Sequence, residues 1–134
     1  MDTSASMLEK LQEKNTDALS IEAIHQDIIQ TPLTQCFDGL ISSMTLHHIE
    51  DLHAFFTTIK KNIKKNGFIA IADLESEDGT FHSDNEGVFH FGFDKERLCA
   101  LTTECGFQDV AFKQIHTIQK PHRDFGIFLL TARV

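Results

Sequence analysis

Eight histidines lie among the 134 residues, and four of them occur in settings that suit proton transfer. His47 and His48 are adjacent and directly follow the apolar run of residues 37–44. Imidazole titrates near neutral pH, so one of them suits a general base or a group that orients a substrate. The competing reading is a local hydrogen bond for one and solvent for the other. His82 and His90 stand among Phe81, Phe89, Phe91 and Phe93 in FHSDNEGVFHFGF. A long loop that mixes imidazoles with aromatic rings suits a lid over a pocket, or else a loop folded onto the core. Asp73, Glu75, Glu77 and Asp78 put four acids within six positions. A calcium loop needs glycine at its sixth place, and Gly79 comes one place late, so these acids read as a solvated loop. No HExxH or CxxC spacing occurs, and no metal site is expected. No G-x-G occurs either, so a glycine loop that cradles phosphate is absent from these residues.

Such groups need a frame that brings strand ends together. Leu52, Phe55, Phe56, Ile59 and Ile63 recur at helical spacing and make one apolar face. Glu50 and Asp51 at its start, and Lys60, Lys61, Lys64 and Lys65 at its end, oppose the macrodipole. Asn66-Gly67 predicts a left-handed stop. Residues 37–44 before this helix and FIAIADLE after it read as buried strands. Strand, helix and strand with short joints predict a parallel βαβ unit with a right-handed crossover. Ligands of open parallel sheets sit outside the carboxyl ends of the strands, where SSMTLHH and DLESEDGTFH fall. Ser6-Met7-Leu8-Glu9 matches a capping box and predicts a helix over about residues 5–15. Residues 21–24 suit a short strand that runs towards Asp27. Asp94 predicts the cap of a helix that carries Leu98, Leu101, Thr102 and Cys105 and ends at Gly106. Residues 107–118 and IFLLTA read as a closing antiparallel pair. The fold class is α/β, with a parallel centre and an antiparallel end.

Composition narrows the function classes. A chain of this length makes one domain. No run of about 18 apolar residues occurs, and the basic and apolar regions of a signal peptide are missing from the N-terminus. Three cysteines, Cys36, Cys99 and Cys105, are odd in number and suit a reducing cytoplasm. The net charge of −8 carries no basic stripe and disfavours a nucleic-acid partner. Twelve Phe without Trp or Tyr place the aromatics in the core or in a pocket wall.

The segment FDGLISSMTLHHIED, with the later IKKNGFIAIADLESEDGTFH, resembles the middle of class I S-adenosylmethionine-dependent methyltransferases. DGLISSMTLHHIED looks like their fourth strand and its turn, and IKKNGFIAIADL like the following helix end, glycine and fifth strand. ECGFQDV and IFLLTARV are similar to the closing antiparallel pair. DTSASMLEKL resembles the end of the second strand. The resemblance implies a Rossmann-like methyltransferase sheet, mainly parallel, with an antiparallel C-terminal strand pair. It implies S-adenosyl-L-methionine as cofactor, with Asp2 on the ribose and Asp27 with Ile28 near the adenine. Ser43 and Met44 would line the cofactor pocket, and His47 and His48 would face cofactor and substrate. The family's first strand, glycine-rich loop and first helix have no counterpart. Residues 1–134 are therefore expected to form a single, N-terminally truncated domain.

Two functions follow from the resemblance. One is methyl transfer to a small molecule, with His48 as the first candidate base and His47, His82 and His90 beside it. The other is a non-catalytic methyltransferase-like module. Without its central neighbour, the strand at residues 37–44 keeps an open apolar edge, and such edges pair with something. A homodimer or another partner at that edge is expected. A metal-binding protein is a third class, which the histidine spacing does not support.

Overall fold

The computed structural model describes residues 1–16, 20–31 and 33–134. They fall into two units, Met1–Leu33 and Thr34–Val134.

The first unit contains helix α1, Ala5–Gln12. Its cap is Ser4, whose hydroxyl accepts from the Met7 amide at 3.4 Å. The capping box at Ser6 is therefore displaced by two residues, and the helix ends short of residue 15. Asp2 explains the shift: its Oδ1 accepts from the Ser4 amide at 2.8 Å and sets the entry of the chain. Residues 21–24 form no strand. A single parallel bridge joins Asp2 to His25, with the Asp2 amide donating to Ile24 O and the Gln26 amide to Asp2 O.

The second unit is a four-stranded sheet in the order β1-β2-β4-β3. β1 is Phe37–Ser43 and runs parallel to β2, Ile63–Leu74. β4, Asp124–Arg133, is antiparallel both to β2 and to β3, Gln108–Gln119. The expected mixture of parallel and antiparallel pairing is present. The burial expected of residues 37–44 is not, because β1 is the edge of this sheet and Ile41 is 78% exposed.

Helix α2, Leu52–Lys61, joins the parallel strands. Asp51 caps it by accepting from the Ala54 amide at 2.8 Å, and Phe55, Phe56 and Ile59 are its buried residues. The helix stops before Asn66-Gly67. Ile63 already pairs with Phe37, and the register then jumps to Gly39 opposite Phe68. Asn66 lies inside this irregular stretch with a φ of 66°, where its amide donates to Val134 O. A Cβ on Gly67 would lie 2.7 Å from Asp38 O, so only glycine lets the two strands close here. Helix α3, Lys95–Glu104, has the expected cap: Asp94 accepts from the Arg97 amide at 2.9 Å. Gly106 follows with a φ of 86°.

Alternation along β2 decides what reaches the core. Ile69 and Ile71 are buried, and their partners Ala132 and Leu130 on β4 are buried too. Two residues further on, the same face presents Asp73, opposite the buried Phe128. On the other face Leu74, Phe125 and Ile127 form a cluster joined by Met44, Ala72, Phe81 and Ile118.

Candidate active site

The site starts from a carboxylate that β2 carries onto its buried face. Asp73 is 0% exposed, a position that costs several kcal/mol unless the group is paired. Its partner is the turn that follows β1. Met44 takes a φ of 54° and its amide donates to Ala72 O at 2.9 Å, which bends the chain just past the strand. One turn of 3₁₀-helix follows, Leu46–His48, anchored by the buried Leu46. This turn lays His47, 1% exposed, against Asp73. His47 Nδ1 lies 2.7 Å from Asp73 Oδ1, and the His47 amide donates to Oδ2 at 3.3 Å. Oδ1 also accepts from the Leu74 amide at 2.7 Å. Against a carboxylate acceptor Nδ1 carries the proton, so Nε2 of His47 keeps its lone pair.

The loop of residues 75–93 supplies the rest. The amides of Phe89 and His90 donate to His47 O at 3.0 and 3.3 Å. His48 Nδ1 donates to Gly87 O at 2.7 Å, which leaves its Nε2 with the lone pair as well. The His48 ring centroid lies 4.2 Å from that of His47. His82 enters from the same loop, with ring centroids 4.9 Å from His47 and 6.0 Å from His48. One ligand-type nitrogen from each of the three lies within 4.8 Å of the other two. His82 Nδ1 is shielded from solvent and has no hydrogen-bond partner among the described residues. Burial holds the His82 pKa below its usual value; His47, His48 and Lys120 lower it further, and Glu77 opposes them.

The other candidates have local partners. His90 Nε2 donates to Ile49 O at 2.8 Å, and its ring centroid lies 5.3 Å from that of Phe93. Glu77 Oε2 accepts from the amides of Gly79, Thr80 and Phe81 and so shapes the turn. Asp78 pairs with Arg123 at 2.9 Å, and its pKa falls to about 2, chiefly through the Thr80 hydroxyl. A parallel bridge between Glu75 and Phe93 closes the loop at its base. Gly92, at a φ of 69°, permits that closure, since a Cβ there would sit 2.0 Å from Glu75 O.

The residues expected to hold a cofactor lie in both units. In the first, Asp2 commits Oδ1 to the Ser4 amide, while Oδ2 has no hydrogen-bond partner among the described residues. A carboxylate with a free oxygen at the entry of a helix fits a ribose diol. Asp27 accepts from the amides of Ile29 and Gln30 through Oδ1 and from Gln30 Nε2 through Oδ2. Ile28 beside it is half-buried. In the second unit, Ser43 is exposed at the end of β1 and Met44 packs on the Leu74 cluster.

Of the four histidines expected to act, the fold gathers His47, His48 and His82. Asp73 escaped the sequence reading as a member of the site. Its signal was the alternation itself: a period of two from Ile69 and Ile71 lands on an acid.

Comparison with known proteins agrees with this architecture. The profile of a methyltransferase domain family matches residues 1–71. An uncharacterized methyltransferase of Schizosaccharomyces pombe is 38% identical over 68 residues, which are 46% of this chain and 24% of that protein. The chain thus aligns with about a quarter of the length of that curated relative. Among solved structures, the N-methyltransferase NodS from Bradyrhizobium japonicum, in complex with S-adenosyl-L-homocysteine, superposes with a TM-score of 0.71. The two are 19% identical over 98% of this chain and 63% of that one. A SAM-dependent methyltransferase from Archaeoglobus fulgidus gives a TM-score of 0.72 at 15% identity, over 98% of this chain and 73% of the other. At these identities the likeness establishes the Rossmann-like α/β fold.

Proposed function

The chain belongs to the methyltransferase domain family, and from that premise we propose that it transfers a methyl group from S-adenosylmethionine to a small molecule. The observation that carries this reading is the cluster of His47, His48 and His82 at the carboxyl end of the parallel strands. S-adenosylmethionine supplies a methyl group made electrophilic by its sulfonium. By the family resemblance, Asp2 would hold the ribose, Asp27 with Ile28 would flank the adenine, and Ser43 and Met44 would border the methionine portion.

His48 is the base. It is exposed, and its Nδ1 is tied to Gly87 O, so Nε2 is the atom that takes a proton from the acceptor heteroatom. His47 is a positioning residue, locked by Asp73 and holding the loop through its carbonyl. Phe81, packed 5.1 Å from Phe125, gives the site an apolar wall that excludes water. The acidic balance favours a small acceptor over a nucleic acid, and three free thiols suit a cytoplasmic setting. Among the described residues no helix is long and apolar enough to cross a membrane.

Calorimetric titration of the full chain with S-adenosylhomocysteine tests the reading. The expected result is saturable heat that weakens on Asp27→Ala and Asp2→Ala. A folded protein that gives no heat would overturn it.

One observation favours a second role, self-association as a methyltransferase-like module. β1 is a sheet edge with Phe37 and Ile41 exposed, and such an edge suits a second copy of the chain. Sedimentation equilibrium should show a dimer that Ile41→Lys dissociates. A monomer at all concentrations would remove this role.

A further inference from the structure

Three imidazoles meet in the second unit with little between them to satisfy their nitrogens. The hydrogen bonds at the periphery fix the tautomers of two. Asp73 holds His47 Nδ1 and Gly87 O holds His48 Nδ1, so both Nε2 atoms are left as lone-pair donors. His82 adds a nitrogen that is shielded from water and unpartnered among the described residues. Bare lone pairs brought together repel unless a proton or a cation joins them. A carboxylate behind a histidine, as Asp73 stands behind His47, is also the outer shell that metal-ligating histidines require.

We propose that His47, His48 and His82 form a binding site for one zinc-class divalent ion, held by three neutral imidazoles. Imidazole donors suit zinc, and three protein ligands leave a fourth position open, as in catalytic zinc sites. One ring nitrogen from each of the three lies within 4.8 Å of the other two. A tetrahedral ion at about 2.0–2.1 Å brings its nitrogens to about 3.3 Å apart, a change that ring rotation supplies. His82 lies on the loop of residues 75–93 and has no hydrogen bond at Nδ1 among the described residues, whereas His47 is fixed by two contacts to Asp73. The surrounding charges are Asp73 and Glu77, which favour a cation, and Lys120, which opposes it and is partly engaged over the Phe81 ring at 4.1 Å.

The site stands on this geometry alone. Its use rests on the methyl-transfer reading: with the ion bound, His48 Nε2 is a ligand and no longer the base, and the ion would hold the acceptor's hydroxyl or thiol as an anion in the open position, its proton released to water. No short motif announces it, because His82 is 34 positions beyond His48 and only the closure of the loop brings it in.

The test uses the full chain without a tag, stripped by chelator and titrated first with Co²⁺ and then with Zn²⁺. One equivalent of Co²⁺ should give the intense visible bands of a tetrahedral site, and Zn²⁺ should displace it. His48→Ala and His82→Ala change exposed or half-buried side chains, and each should abolish the bands. Asp73→Asn should weaken Zn²⁺ binding by about 10–100-fold. Bands that are absent from the parent chain, or unchanged in His48→Ala and His82→Ala, overturn the site. Heat with S-adenosylhomocysteine but no Co²⁺ bands removes this inference and leaves the methyl-transfer reading. Bands without that heat do the reverse.

Discussion

Asp73 and Asp78 stand five positions apart, at the end of β2 and in the loop that follows, and each pairs with a basic side chain. Their surroundings differ entirely. Asp73 is buried and satisfies three donors: the His47 ring, the His47 amide and the Leu74 amide. Asp78 is in solvent and holds Arg123 and the Thr80 hydroxyl. The first arrangement makes a site because water cannot replace the lost partner. The second sets a loop geometry and contributes little else, since water and salt compete for both charges.

Substitutions along this stretch should grade with burial. Asp73→Ala orphans three donors at about 1–3 kcal/mol each, so a loss of at least about 3 kcal/mol is expected in urea denaturation. Asp73→Asn keeps one acceptor and should lose less. Near-equal stability of Asp73→Ala and the parent would break the comparison at its strong end. Gly92→Ala comes next. Its φ of 69° and the 2.0 Å approach to Glu75 O predict a loss of about 1–3 kcal/mol. Hydrogen exchange should then rise in residues 75–93 before it rises in β2. Asp94→Ala removes an exposed carboxylate that nevertheless caps α3, and should cost about 1 kcal/mol.

Asp78→Asn should have the smallest effect, a small loss of stability at neutral pH, since water and salt compete for the charges it holds. Acid titration sharpens the point. The Asp78 pKa falls from 3.8 to about 2 on folding, so the unfolded chain binds more protons between those values. The stability that Asp78 contributes is therefore complete above the unfolded value and lost as pH falls through about 2. The parent should show this extra slope and Asp78→Asn should lack it. A slope that persists in the variant would assign it to another carboxylate.

Local signals were legible where one element decides its own form. The apolar face of α2, the caps at Asp51 and Asp94 and the strand FIAIADLE need only neighbours within a turn or two. The boundaries failed where tertiary contacts override propensity. Asn66-Gly67 looks like a helix stop, but Ile63 is already drawn into pairing with Phe37. Ser6 looks like a cap, but the Asp2 carboxylate fixes the chain so that Ser4 takes that place. The apolar run of β1 looks like a buried strand, yet Ile41 is exposed, because β1 is the open sheet edge that the resemblance implied.

The same division runs through the site. The sequence by itself determined the α/β class, the position of His47 and His48 just past a strand, and the aromatic loop that carries His82. It also carried the alternation that turns Asp73 inward, since side chains change face at every residue of a strand. Tertiary structure decided the rest: which histidines share a site, which nitrogen of each is free, and that His90 packs on Phe93 while His82 joins the cluster. Those outcomes depend on contacts between residues 26 to 41 positions apart, such as His47 with Asp73 and His90 with Ile49. No local period encodes such contacts. They follow only when the strands pair and the loop closes over them.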